Sequence, residues 1–261
     1  MLASELRKVL YNKAFYVLLF LDLLICALLS GRELLINVPR VNPNLNAIFS
    51  NIIYSAFQTN SISQVFGGLM AIIIITQEIR HKTLSITLVQ CPHRFRLWSS
   101  KVGTIVIASV ILGVFSLFGG GVGIVAETHI FPYHTIHEPG LYLILHQAIN
   151  SFLRITGSLV LLDLFWATVA FLILNQTAAI MVFIVYSSVA TNVLALNFPS
   201  LARWIPEGAS QSITPTMVMP QLGWQTANSK PLTLLVGVTY LFLLIGSIGI
   251  VSFYRFSNKD F

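Results

Sequence analysis

From Val102 to Ala126 the chain runs without a single charged residue, and that run constrains the fold more than any other feature of the sequence. About 20 consecutive apolar residues match the hydrocarbon core of a bilayer when they are helical. Inside that core there is no water to bond the backbone, so the run has to satisfy its own N–H and C=O groups as a helix. Five further runs are similarly apolar, at 14–30, 52–76, 155–174, 178–196 and 232–253, with Asp22 and Asp163 as their only charged residues. The composition agrees: 56% of residues are hydrophobic, 9% are charged and the mean hydropathy is +0.81, whereas soluble domains carry about 25% charged residues. The expected fold is an all-α membrane protein with six transmembrane helices and no second domain.

The runs are oriented by the stretch between the second and third, Gln77 to Lys101, which carries Arg80, Lys82, Arg94, Arg96 and Lys101 against one acid, Glu78. A short loop this basic is expected on the cytoplasmic side, because its cations favour the anionic inner leaflet and resist translocation. Of the 15 Lys and Arg residues, only Arg32, Arg40, Arg154, Arg203 and Lys230 then fall outside, and both termini are cytoplasmic. The net charge of +6 therefore reads as topology and lipid contact; no nucleic-acid partner is expected.

The opening Met1 to Lys13 spaces Leu2, Leu6, Val9 and Leu10 at helical intervals, which predicts an amphipathic helix lying on the inner surface. With the run that follows it imitates a signal peptide. Asp22 interrupts the run, and Gly31-Arg32-Glu33 is a poor cleavage site, so the segment is expected to be retained as the first helix. Gly31 to about Asn51 and Glu127 to Asn150 read as outer loops. Asn175-Gln176-Thr177 reads as a tight turn between the fourth and fifth spans. Asn197 to Lys230, with four prolines and two tryptophans, reads as outer segments dipping into the interface. Cys26 and Cys91 fall at a membrane-embedded and a cytoplasmic position, where no disulfide is expected.

Several groups carry chemistry. No stretch fits G-x-x-x-x-G-K-[ST], and Gly119-Gly120-Gly121-Val122-Gly123 lacks the lysine that a phosphate-binding loop requires, so the chain has no nucleotide site of that kind; close helix packing is the expected role of these glycines. His134, His137 and Glu138, with His129 and His146 nearby, have ligand chemistry but match no established metal spacing, and no metal is expected. Asp22 and Asp163 lie near the middle of apolar runs, where an acid is costly. Each is expected to face the protein interior, protonated or bonded to a polar side chain such as Ser109 or Asn192, or else to couple transport to an ion.

The basic loop has an internal order: Glu78 after the second span, Thr83 five residues on, then Leu84, Ile86, Leu88 and Val89, then Pro92, Arg94 and Lys101 opening the third span. This resembles the first cytoplasmic loop of the ABC-2 family of ABC transporter permeases, which reads roughly E-x-x-x-G-T-x-x-x-L-x-x-x-P-x-x-R and forms a coupling helix; Lys82 stands where that family usually has Gly. Glu5-Leu6-Arg7-Lys8 is similar to the family's entry helix, Trp204-Ile205-Pro206-Glu207-Gly208-Ala209 to its outer re-entrant segment, and Phe256-Ser257-Asn258-Lys259-Asp260 to its closing tail. The resemblance implies a permease of the bacterial cytoplasmic membrane, paired with a second copy or a homologue and with two separate ATPase subunits that bind ATP and Mg. The chain itself would be no enzyme and bind no cofactor.

Glu78, Arg80, Lys82, Thr83, Leu84, Pro92, Arg94 and Lys101 would form the ATPase-coupling interface. The expected activity is export of a lipophilic or amphipathic substrate such as an antimicrobial peptide, drug or lipid. The alternatives are an ion-coupled secondary transporter using Asp22 and Asp163, and a membrane metalloenzyme using His134, His137 and Glu138.

Overall fold

The computed structural model describes residues 2–37, 45–80, 94–130, 141–190, 193, 197–214 and 232–258, with the backbone alone over 31–37, 45–61, 80, 124–130, 141–148, 189–190 and 199. Its elements are α1 (Leu2–Leu10), α2 (Lys13–Asn37), α3 (Leu45–Arg80), α4 (Arg94–Ile130), α5 (Leu141–Ile173), α6 (Gln176–Val185), a π-helical turn (Tyr186–Ala190), α7 (Pro199–Ala202), α8 (Pro206–Ser210) and α9 (Leu234–Asn258). Among the described residues there is no strand. Five helices, α2, α3, α4, α5 and α9, are long and apolar enough to cross a membrane.

The helices outrun the predicted spans. With 36 and 37 residues, α3 and α4 are about 54 Å long, well beyond a hydrocarbon core of about 30 Å. Polar residues end an apolar run without ending a helix, because the intrahelical bonds continue into water. The basic stretch 77–101 is therefore helical at both ends, through Arg80 and again from Arg94, and only 81–93 joins them. For the same reason the expected outer loop 31–51 is helical to Asn37 and from Leu45, and 127–150 is helical to Ile130 and from Leu141, which puts His129 and His146 on helices.

Of the expected fifth span, 178–196, the structure describes a short apolar helix passing into the π-helical turn, through residue 190, and residue 193 beyond it. It follows α5 through Leu174 and Asn175, one residue earlier than the turn read from the sequence. Leu174 takes a left-handed φ of 52°, a conformation that is costly for a branched side chain; its burial, at 4% exposed, offsets that cost. Asn175 caps α6 by accepting from the Ala178 N–H at 3.2 Å, the usual duty of an Asn at this position.

The centre of the bundle is α5, with 72% of its apolar stretch buried, against 17% for α9 at the periphery. Met70, Ile72 and Ile75 of α3, Leu97, Ile105 and Leu112 of α4, and Phe171 of α5 are buried together. In a bilayer, lipid tails compete equally for such side chains, so association depends on close packing and on polar contacts. The glycine cluster supplies the first. A Cβ at Gly119 would lie 2.7 Å from the Leu23 carbonyl oxygen and one at Gly123 2.3 Å from that of Ala27, so these glycines let α4 lie directly on the backbone of α2.

Candidate functional site

Where α3 ends and α4 begins, a ring of four charges closes around the base of the bundle. Glu5 and Lys8 stand one turn apart on α1, Glu78 is near the end of α3, and Lys101 is two turns into α4. The Lys101 ammonium lies 3.0 Å from Glu5 Oε2 and 3.2 Å from Glu78 Oε2. The Lys8 ammonium lies 2.6 Å from Glu5 Oε1 and also bonds Glu78 Oε1. Each cation thus meets both acids, and each acid divides its oxygens between both cations. The charges cancel. That balance allows Lys101, Glu5 and Glu78 to be 1%, 3% and 6% exposed, because a buried charge is tolerated when it is paired and hydrogen-bonded.

The Lys8 side chain is 44% exposed. Burial works to lower its pKa, and the carboxylates of Glu5 and Glu78 outweigh that and raise it above the ordinary 10.5. Its part of the ring is therefore complete below pH 10.5 and is lost only as pH rises through the raised value.

Two more contacts tie the neighbouring helix ends to this ring. Asn12, in the turn between α1 and α2, donates to Gln77 Oε1 at 3.1 Å and accepts from the Ala14 N–H at 3.0 Å. Arg94, the first residue of α4, donates through one guanidinium nitrogen to the carbonyls of Phe256 and Ser257, at 3.0 and 2.6 Å. These are among the last carbonyls of α9, which have no intrahelical partner and sit at the negative end of the helix dipole. Trp98 strengthens the same corner, its ring packing against Phe171 of α5 and Phe253 of α9.

Of the expected coupling residues, the structure brings Glu78 and Lys101 together in the ring and gives Arg94 to the end of α9. Arg80 is described by its backbone only; Lys82, Thr83, Leu84 and Pro92 lie outside the described residues. Glu5 and Lys8 were not legible as site residues. The helical pattern of α1 drew attention to its leucines, yet the face turned to the protein carries Glu5 and Val9, while Leu2 and Leu10 are exposed. The available signal was a Glu and a Lys three apart on a helix, a spacing that usually means a local pair of little consequence.

The intramembrane acids sit in a polar seam higher in the bundle. Asp22 of α2 is 0% and Asp163 of α5 1% exposed. Ser63 of α3 donates to Asp22 Oδ1 at 2.7 Å and lies 2.9 Å from the Ser116 hydroxyl of α4; the Cys26 thiol is 3.7 Å from the same Asp22 oxygen. Ser109 of α4 donates to Asp163 Oδ2 at 2.6 Å. Gly67 makes room for this carboxyl, since a Cβ there would stand 2.3 Å from Asp163 Oδ1. The second oxygens, Asp22 Oδ2 and Asp163 Oδ1, are buried with no hydrogen-bond partner among the described residues. Asn192, the other partner considered from the sequence, lies outside the described residues, as do His134, His137 and Glu138.

At the far end of the bundle, α7 and α8 form a compact hairpin opened at each helix by a proline. A Cβ at Gly208 would fall 2.0 Å from the Ala202 carbonyl oxygen, so only glycine permits this approach. Tyr186 donates to Glu207 Oε2 at 2.9 Å. A family-model comparison and a comparison with curated proteins both return no match to this chain.

Proposed function

We propose that this chain is the membrane-spanning permease subunit of an ATP-driven ABC exporter of the bacterial cytoplasmic membrane, with the segment 81–93 docking on a separate ATPase. One observation carries the reading beyond its sequence resemblance: the closed ring of Glu5, Lys8, Glu78 and Lys101. A force applied to 81–93 enters α3 through Glu78 and α4 through Lys101, and the ring makes those two helix ends and α1 move as one piece. A membrane domain without a nucleotide site needs such a lever to receive work from a partner, and rigid displacement of packed helices is an established means of switching access to a cavity. In this reading the termini are cytoplasmic, the ATPase subunits bind ATP and Mg, and a second permease copy or homologue completes the pathway. A lipophilic or amphipathic cargo suits the apolar, aromatic surfaces of the first, second and fifth spans.

The test is Leu84→Asp. Docking of an amphipathic segment rests on a few apolar anchors, and a carboxylate at one of them costs about 2 kcal/mol or more. The expected outcome is unchanged membrane insertion, because the Lys and Arg bias is intact, together with loss of the co-purifying ATPase and of ATP-driven transport. Retention of both would reduce the basic segment to a topology signal and end this reading. The second reading, an ion-coupled transporter using Asp22 and Asp163, draws on their two unpartnered buried oxygens. It is favoured only if transport follows an imposed ion gradient and proceeds without ATP.

A further inference from the structure

Thr156 of α5 shares the condition of the two intramembrane acids. It is 8% exposed, and its hydroxyl is buried with no hydrogen-bond partner among the described residues. A threonine inside a helix ordinarily returns its hydroxyl to a carbonyl one turn back, as Thr76, Thr104 and Thr168 do in this bundle. Thr156 does not. Its hydroxyl faces α4 instead, where a Cβ on Gly113 would stand 2.9 Å from it.

The place of Gly113 on α4 shows what that hydroxyl faces. Ser109 lies four residues before it and Ser116 three residues after it, spacings that keep all three on one face of the helix. Ser109 holds Asp163, while Ser116 is bonded by the same Ser63 hydroxyl that holds Asp22. On α3, Ser63 and Gly67 stand one turn apart on one face, with Gly67 against Asp163. On α5, Thr156 and Asp163 are two turns apart and again share a face. Three bare oxygens from α2 and α5 thus converge on one polar stripe of α3 and α4, within about 10 Å along the bundle.

The stripe lies inside the apolar stretches of all four helices. Among the described residues no cation meets it. Lys101 of α4 is two turns nearer the cytoplasmic end and is held by the charge ring; Arg154, two residues before Thr156, bonds Asn150.

We propose that this seam binds one sodium ion, ligated by Asp22 Oδ2, Asp163 Oδ1 and Thr156 Oγ1 against the serine stripe of α3 and α4. An acid in the bilayer core is costly, and so is a buried oxygen left unbonded. A cation that touches several such oxygens at once removes both penalties. Carboxylate and hydroxyl oxygens are hard donors and select hard cations. Calcium takes about six to eight oxygens and magnesium keeps several waters; a seam with three bare oxygens, in which a Cβ at Gly67 would overlap the Asp163 carboxyl, suits neither. Sodium is hard and carries a single charge. Together with one retained proton it leaves the two acids neutral.

Equilibrium binding of radioactive sodium to the full chain in nanodiscs tests this, with choline chloride holding the ionic strength constant. Neither reading of transport enters, because no ATPase, cargo or gradient is present; ion coupling would require in addition that a sodium gradient drive transport. The expected result is one saturable sodium per chain, not displaced by calcium at equal concentration. Thr156→Val keeps the side chain's shape and breaks no hydrogen bond, so in choline alone it should unfold no lower than wild type, yet bind sodium about tenfold more weakly. Asp22→Asn with Asp163→Asn should abolish saturable binding. The proposal is overturned if wild type binds no saturable sodium, the outcome when water or protons alone satisfy the seam, or if calcium takes the site. It is equally overturned if Thr156→Val binds as tightly as wild type. These outcomes decide the matter even where the double Asn variant does not fold.

Discussion

Lys101 shows how one residue type takes two roles at two places in the same ring. Its side chain is 2% exposed and that of Lys8 44%, although both bond the same two acids. Removing a partner from a buried ion pair leaves an uncompensated charge and costs about 3–5 kcal/mol, whereas a solvated pair contributes about 1 kcal/mol or less. Lys101→Met should therefore lower the thermal unfolding midpoint in detergent far more than Lys8→Met. Adding Glu78→Gln to Lys101→Met should recover part of the loss, since the charges again balance. Equal effects of the two single substitutions would mean that the ring is solvated and does not act as a clamp. Asp22 and Asp163 obey the same physics by another route: among the described residues neither pairs with a cation, and each is satisfied on one oxygen by a serine from a neighbouring helix.

At the level of elements, the end of α9 depends on a side chain from another helix. Four carbonyls at a helix C-terminus have no internal acceptor role, and here Arg94 supplies donors to two of them. A charged hydrogen bond of this kind is worth about 1.5–3 kcal/mol. Arg94→Gln should speed amide exchange in the last turn of α9, 254–258, by at least about tenfold while leaving the first turns of the helix unchanged. Fraying along the whole of α9 would show that Arg94 acts on more than the cap. Its position matters for function too: in the proposed permease, the residue leaving segment 81–93 grips the last helix directly. The resemblance of the basic loop to the ABC-2 pattern offered Arg94 as an ATPase contact; its bonds to the end of α9 are an additional role that no sequence pattern pairs with it.

For the whole molecule, the contacts place α1 and the end of α9 at the same end of the bundle, since Glu5 meets Lys101 and Arg94 meets Ser257. An even number of crossings returns a chain to the side on which it started, so the permease proposed above, with six crossings, has both termini on one face. Tags at the two termini should accordingly be digested by protease from the same face of sealed membrane vesicles; opposite faces would rule out the six-span arrangement.

The membrane class, the all-helical fold and the approximate places of α2, α3, α4, α5 and α9 were determined by the sequence alone, because apolar runs of that length, broken by at most one acid, leave the backbone only one way to satisfy its hydrogen bonds in lipid. Helix ends were not, since polar residues stop an apolar pattern without stopping the helix, as Arg94 to Lys101 and Leu141 to Arg154 show. Nor was the ring. Glu5, Glu78 and Lys101 are remote in sequence, and no spacing rule pairs them. Only the packing of α1 against the ends of α3 and α4 brings their charges within 3.2 Å, and at that distance, away from water, unpaired charges would have forced the helices apart.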